Sequence, residues 1–156
     1  NSILPDAAQL AVEAVGAALA GAGMMPSLVT EVGVTLADDT MLRALNGQWR
    51  GKDKPTNILS FPIVQLAPGD TPGAMAGDLV LARQTLEREA LRDGKSLADH
   101  FRHLVVHGML HLLGYDHEEA EEAEQMERLE VLVLSTLAIA DPYADSGGVA
   151  GVDPVD

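Results

Sequence analysis

The sequence predicts one α+β or α/β domain, with a small mixed sheet packed against helices and a metal site on a central helix and the turn after it. Three observations carry that expectation. The 156 residues suit a single domain able to bury roughly 70% of its unfolded surface. Stretches with helical spacing of apolar residues alternate with short runs rich in Val, Ile and Thr. Three histidines, His107, His111 and His117, fall within the eleven residues HGMLHLLGYDH.

The elements follow in order. Pro5-Asp6 opens a first helix whose face is expected to carry Leu10, Val12, Val15 and Leu19, with Gly21 and Gly23 ending it. Leu28 to Leu36 alternates and reads as a strand. Asp38-Asp39-Thr40 can cap a short helix that turns Met41, Leu42 and Leu45 inward. A polar loop, NGQWRGKDKPT, comes next, and NILSFPI reads as a strand in which Pro62 marks a bulge or an edge. Two Pro and three Gly between Leu66 and Gly77 make a loop, before a short strand over Asp78 to Ala82. A charged helix spans about Arg83 to Arg92 and stops at Asp93-Gly94. Ser96, with Asp99 three residues on, starts the histidine helix in the manner of a capping box, and that helix runs to Leu113. Glu118 to Ala140 forms a last helix with Met126, Leu129, Val133 and Leu137 along its inner face. The domain covers residues 1–143, and the Gly-, Pro- and Asp-rich tail over 144–156 has the composition of a disordered segment.

Composition narrows the classes. Aromatic residues are 3% of the chain, so the core rests on aliphatic side chains and Met. Cysteine is absent, which removes disulfides and fits a cytoplasmic location. The apolar stretch from Ala7 to Met25 is interrupted by Gln9 and Glu13 and has no basic leader, which argues against a signal peptide and a membrane span. Asn1 is not a Met, which leaves room for native sequence ahead of it. The net charge is -14, yet nine of the ten Lys and Arg residues lie between Arg43 and Arg102. Seven acids crowd Glu118 to Glu130 and read as the solvated face of a helix. A basic patch on an acidic body is the expected field.

His107 and His111 are four apart, about 6 Å along a helix and about 40° around it, so both imidazoles leave one face. Gly114 breaks that helix, and Tyr115-Asp116 let His117 fold back. Three imidazoles would fill three corners of a tetrahedral Zn2+ site, one ion per chain, and leave the fourth for water or substrate, the open arrangement of catalytic zinc. Two histidines alone are as often polar or core residues; the third, at the metzincin spacing, favours metal. His103, one turn earlier, reads as a support from behind the site, and nothing ties His100 to it. Zinc peptidases place a glutamate directly after the first histidine, and here that position is Gly108. Close approach by substrate or backbone, or close helix packing, would each explain a glycine there.

A second constellation is LNGQWRGKDKPTNILSF. Arg50 offers a planar fork for phosphate oxygens, and Lys52 and Lys54 offer point charges; a merely solvated loop is the bland reading. Trp49 fits a core anchor better than a stacking platform. Together HGMLHLLGYDH, RGKDKPTNILSFP and AGDLVLA resemble the YbeY family of bacterial rRNA maturation endoribonucleases, over about Leu36 to Tyr143. The resemblance implies a zincin-like domain and a zinc-dependent, single-strand-preferring RNase for 16S rRNA 3′-end maturation and ribosome quality control. It implies His107, His111 and His117 as zinc ligands and Arg50 as the functional arginine. The small ribosomal subunit, with an associated GTPase or ribosomal protein, is the implied partner. Asn57 stands where the family usually has an acid. The alternatives are a zinc peptidase or other metallohydrolase, and a ribosome-assembly factor with structural zinc. Asp116 and Asp78 are candidates for the general base.

Overall fold

The computed structural model describes residues 6–50, 57–116 and 119–142, with only the backbone at 48–50. Its elements are α1 (Ala7–Gly21), β1 (Glu31–Ala37), α2 (Asp39–Arg50), β2 (Ile58–Pro62), β3 (Met75–Ala82), α3 (Arg83–Asp93), α4 (Leu97–Leu112) and α5 (Ala120–Thr136). The sheet order is β1-β3-β2, with β1 parallel and β2 antiparallel to β3. This is the small mixed sheet of an α+β domain. Pro62 ends β2, an edge strand, where its missing N–H is tolerated.

The pleat sends alternate residues to opposite faces. Ile58, Leu79 and Leu81 join the large core built around α4, while Leu59 and Ala82 join a smaller one with Leu42 of α2. The sheet therefore lies between α4 and α2, and α1 and α5 cover the far side of α4. That burial leaves α4 apolar nearly all round, with Phe101, Leu104, Val105, Val106, Met109 and Leu110 inside.

Several expectations need correction: β3 begins at Met75 within residues read as loop, and α5 ends at Thr136 rather than Ala140. Helix α1 buries Ala14 and Ala18, while Val12 is 67% exposed. A Cβ on Gly21 would overlap Val133 Cγ2 at 2.4 Å, so small residues are what let α1 approach α5 closely. In α2, Leu42 is buried as expected but Met41 is 52% exposed, one residue being about 100° round the helix. The same helix continues to Arg50, through residues read as loop. Its start is as expected: Asp38 Oδ1 accepts from Met41 N at 2.8 Å. The tail over 144–156 lies outside the described residues.

Candidate metal centre

Helix α4 begins where the sequence places it. Ser96 Oγ accepts from Asp99 N at 3.0 Å, and the acid sits in the first turn, where the helix dipole favours it. The helix ends in a Schellman motif: Tyr115 N donates to Leu110 O and Gly114 N to His111 O, both at 3.0 Å. Gly114 has φ of 102°, and a Cβ there would lie 2.4 Å from Leu66 O, so both its conformation and its neighbour demand glycine. The turn presents the Tyr115 carbonyl to the histidine above it. His111 Nδ1 donates to Tyr115 O at 3.0 Å.

His107 is held from behind in the same way. Its Nδ1 donates to Glu130 Oε1 of α5 at 3.3 Å, and the other carboxylate oxygen accepts from His103 Nε2 at 2.5 Å. Glu130 is 0% exposed and His107 is 4% exposed. Burial alone would raise the Glu130 pKa, but the adjacent His107 and the hydrogen bonds from both histidines outweigh it and hold the carboxyl well below its usual range. Burial pushes His103 below its usual value, against the pull of Glu130, which fits a neutral ring donating through Nε2.

With each Nδ1 donating, His107 and His111 face each other through Nε2 atoms 3.1 Å apart, and in neutral imidazoles those atoms carry lone pairs. Two such lone pairs repel unless a cation lies between them. Nitrogens on one tetrahedral zinc at about 2.0–2.1 Å would be about 3.3 Å apart. The pair therefore fits a divalent metal in distance, tautomer and donor chemistry. His117, the third expected ligand, lies outside the described residues, and among those described no group of three metal-binding side chains is assembled. The side chain of Arg50 and residues Lys52 and Lys54 also lie outside them; the Arg50 backbone closes α2.

Gly108 is explained by packing. A Cβ there would come within 2.8 Å of both Ile58 Cδ1 and Leu79 Cδ2, so α4 rests against the sheet at this residue. Asp78 is exposed in β3, next to Leu79, whose side chain faces α4. The pleat thus directs Asp78 to the opposite face from the histidines, which removes it as a general-base candidate. His100 belongs to a separate polar group: its Nε2 lies 2.8 Å from Glu89 Oε1, and Asn57 Nδ2 donates to the same carboxylate at 3.3 Å.

Sequence reasoning missed Glu130 by assigning it to a solvated acidic face. Its signal was positional. Residues 126, 130, 133 and 137 fall on one stripe of the helix, and Met126, Val133 and Leu137 are its other members.

Comparison with known proteins decides the family. The model of the family described as endoribonuclease YbeY matches residues 3–138. The chain belongs to the endoribonuclease YbeY family. The match begins well before Leu36, so the N-terminal helix belongs to the family's domain. The YbeY endoribonuclease of Azorhizobium caulinodans is 51% identical over 143 residues, 92% of this chain and 89% of that one. That of Allorhizobium ampelinum is 55% identical, covering 73% of this chain and 68% of its own. Agrobacterium fabrum has a YbeY endoribonuclease 54% identical, covering 76% and 71%. A solution structure of a Thermotoga maritima protein has a TM-score of 0.49 and 21% identity, covering 98% of this chain and 92% of that one. Among the described residues no helix is long and apolar enough to cross a membrane.

Proposed function

We propose that this chain is a zinc-dependent endoribonuclease acting on single-stranded rRNA, with 16S rRNA 3′-end maturation and ribosome quality control as its cytoplasmic tasks. One observation carries the metal part: two imidazoles with both Nδ1 protons engaged and both Nε2 atoms facing across 3.1 Å. Membership of the family carries the endoribonuclease part.

In this reading His107 and His111 hold the ion, with His117 as the third ligand. Bound zinc supplies an activated water near neutral pH or a Lewis acid toward a phosphoryl oxygen. The chain's own residues do the rest. Arg50 neutralises the charge that builds on the nonbridging oxygens during cleavage. Lys52 and Lys54 hold flanking phosphates. Asn57, the first described residue after the cationic segment, precedes Ile58, whose side chain abuts α4 at Gly108, the residue after His107. That connection supports a phosphate-binding role close to the histidines. Asp116 is retained as the candidate base. The small ribosomal subunit, with a GTPase or ribosomal protein bound to it, is the proposed partner.

The test is metal content by mass spectrometry beside cleavage of single-stranded rRNA, for wild type, His111→Ala and Arg50→Ala. The expected outcome is about one zinc per wild-type chain, loss of zinc and cleavage together in His111→Ala, and zinc kept with depressed cleavage in Arg50→Ala. A metal-free wild type that still cleaves RNA would sink the zinc assignment. Full activity in Arg50→Ala would sink the role of that residue.

A further inference from the structure

Helix α4 offers a cation two histidine pairs, not one. His103, His107 and His111 are spaced by four residues, so 103/107 matches the helical spacing of 107/111, with a drift of about 40° per step. Nothing in that spacing prefers the second pair. The preference comes from α5, through a single buried side chain that takes hold of two of the three rings.

We infer that Glu130 is the positioning residue that selects His107 and His111 as the metal-binding pair and keeps His103 out of it. The inference rests on the metal reading above and deepens it. Glu130 Oε2 occupies Nε2 of His103, the nitrogen equivalent to those that His107 and His111 turn toward each other. Glu130 Oε1 occupies Nδ1 of His107, which leaves Nε2 of that ring as its ligand atom. One carboxylate thus fixes opposite tautomers on rings one turn apart. The position is itself fixed, because Met126, Val133 and Leu134 on the same face of α5 are buried.

A carboxylate is needed for this, and an amide of the same shape does not serve. Two acceptor oxygens meet two N–H donors. In Glu130→Gln one oxygen becomes an NH2 group, and a donor then faces a donor. Relief requires one histidine to move its proton. If His107 moves it to Nε2, the ligand atom is lost; if His103 moves it, its Nε2 lone pair accepts from the new NH2 group and Glu130 no longer holds that ring as an Nε2–H donor. Loss of the anion behind His107 also makes its Nε2 a poorer donor to metal.

The test has two parts. Zinc affinity is measured by competition with a chromophoric chelator for wild type, His107→Ala, Glu130→Gln and the double variant Glu130→Gln/His103→Ala. Glu130→Gln should weaken zinc binding roughly 10- to 100-fold, the range for such supporting groups. The double variant should recover part of that loss, since removing His103 ends the donor conflict. The second part uses unaltered protein, so it does not depend on how any variant folds. Nitrogen-15 spectra of the imidazoles with and without zinc should show His107 and His111 protonated at Nδ1, and His103 protonated at Nε2 and unmoved by zinc. Wild-type zinc binding that requires His107 but is unchanged in Glu130→Gln would overturn the inference and leave the metal reading intact. A zinc-dependent shift at His103 Nε2 would do the same. Wild-type protein that binds no zinc would remove both.

Discussion

Gly114 shapes the candidate metal centre through the backbone alone. It lets α4 stop where the Tyr115 carbonyl can accept the His111 Nδ1 proton, and it leaves room for the backbone at Leu66. Adding one methyl group places Cβ 2.4 Å from the Leu66 carbonyl oxygen, on a residue whose φ of 102° already disfavours side chains. Gly114→Ala is therefore expected to destabilise the metal-free protein by about 2 kcal/mol, within the range for strained backbone. Urea unfolding reads this directly. A change within about 0.5 kcal/mol, the scale of ordinary surface substitutions, would mean that the turn relaxes freely. Gly108 differs in kind, since its near neighbours are the ends of Ile58 and Leu79, which can shift.

At the scale of elements, α2 is fastened to α3 by one acid. Asp39 Oδ1 accepts from Thr85 Oγ1 at 2.8 Å and from Thr85 N at 3.2 Å, and Oδ2 accepts from Arg88 at 2.9 Å. Burial raises the Asp39 pKa, but the hydrogen bonds from Arg88 and Thr85 and the Arg88 charge outweigh it and hold the group below 3.8. The folded state therefore binds this proton less readily than the unfolded one. The contribution is complete above about pH 4 and is lost as pH falls through the folded value. Asp39→Asn should cost about 1 kcal/mol at neutral pH and flatten the fall in stability as pH drops below about 4. Equal pH profiles for wild type and variant would show that the fastening is weak.

These elements were legible in the sequence to different degrees, for physical reasons. Ser96 and Gly94 speak through local chemistry, a cap and a left-handed stop, and local chemistry survives in a linear string. His107 and His111 were legible because helical spacing alone brings them together. Glu130 was not, because its meaning depends on α5 crossing α4, a contact between residues 23 and 27 positions apart. The acidic run around it also mimics a solvated face. Met41 and Val12 misled for the opposite reason: apolar residues beside a buried position look like members of its face. The end of α2 was hidden because Asn46 and Gly47 are poor helix formers, and the fold extends the helix regardless.

Across the whole molecule, one large aliphatic core ties α1, α4 and α5 to the sheet, and the candidate metal pair lies at its margin. A ligand that binds only the folded state adds stability by mass action, about 2.7 kcal/mol at a hundred times its Kd. For a domain of this size that corresponds to roughly 5–10 °C in Tm. Thermal unfolding with excess zinc, and again after chelation, should differ by that much in wild type. The difference should vanish in His107→Ala. An unchanged Tm on chelation would argue that the folded protein takes up no zinc.

Helix α4 is sheathed on one side by strands and on the other by α1 and α5, and nearly every residue from His103 to Leu112 is buried. No small opening motion exposes its backbone. Its amide protons should therefore exchange with solvent only when the entire chain unfolds, with protection equal to the global stability. The spacing of the two histidine positions along the helix is then as durable as the fold itself, whether or not an ion has arrived.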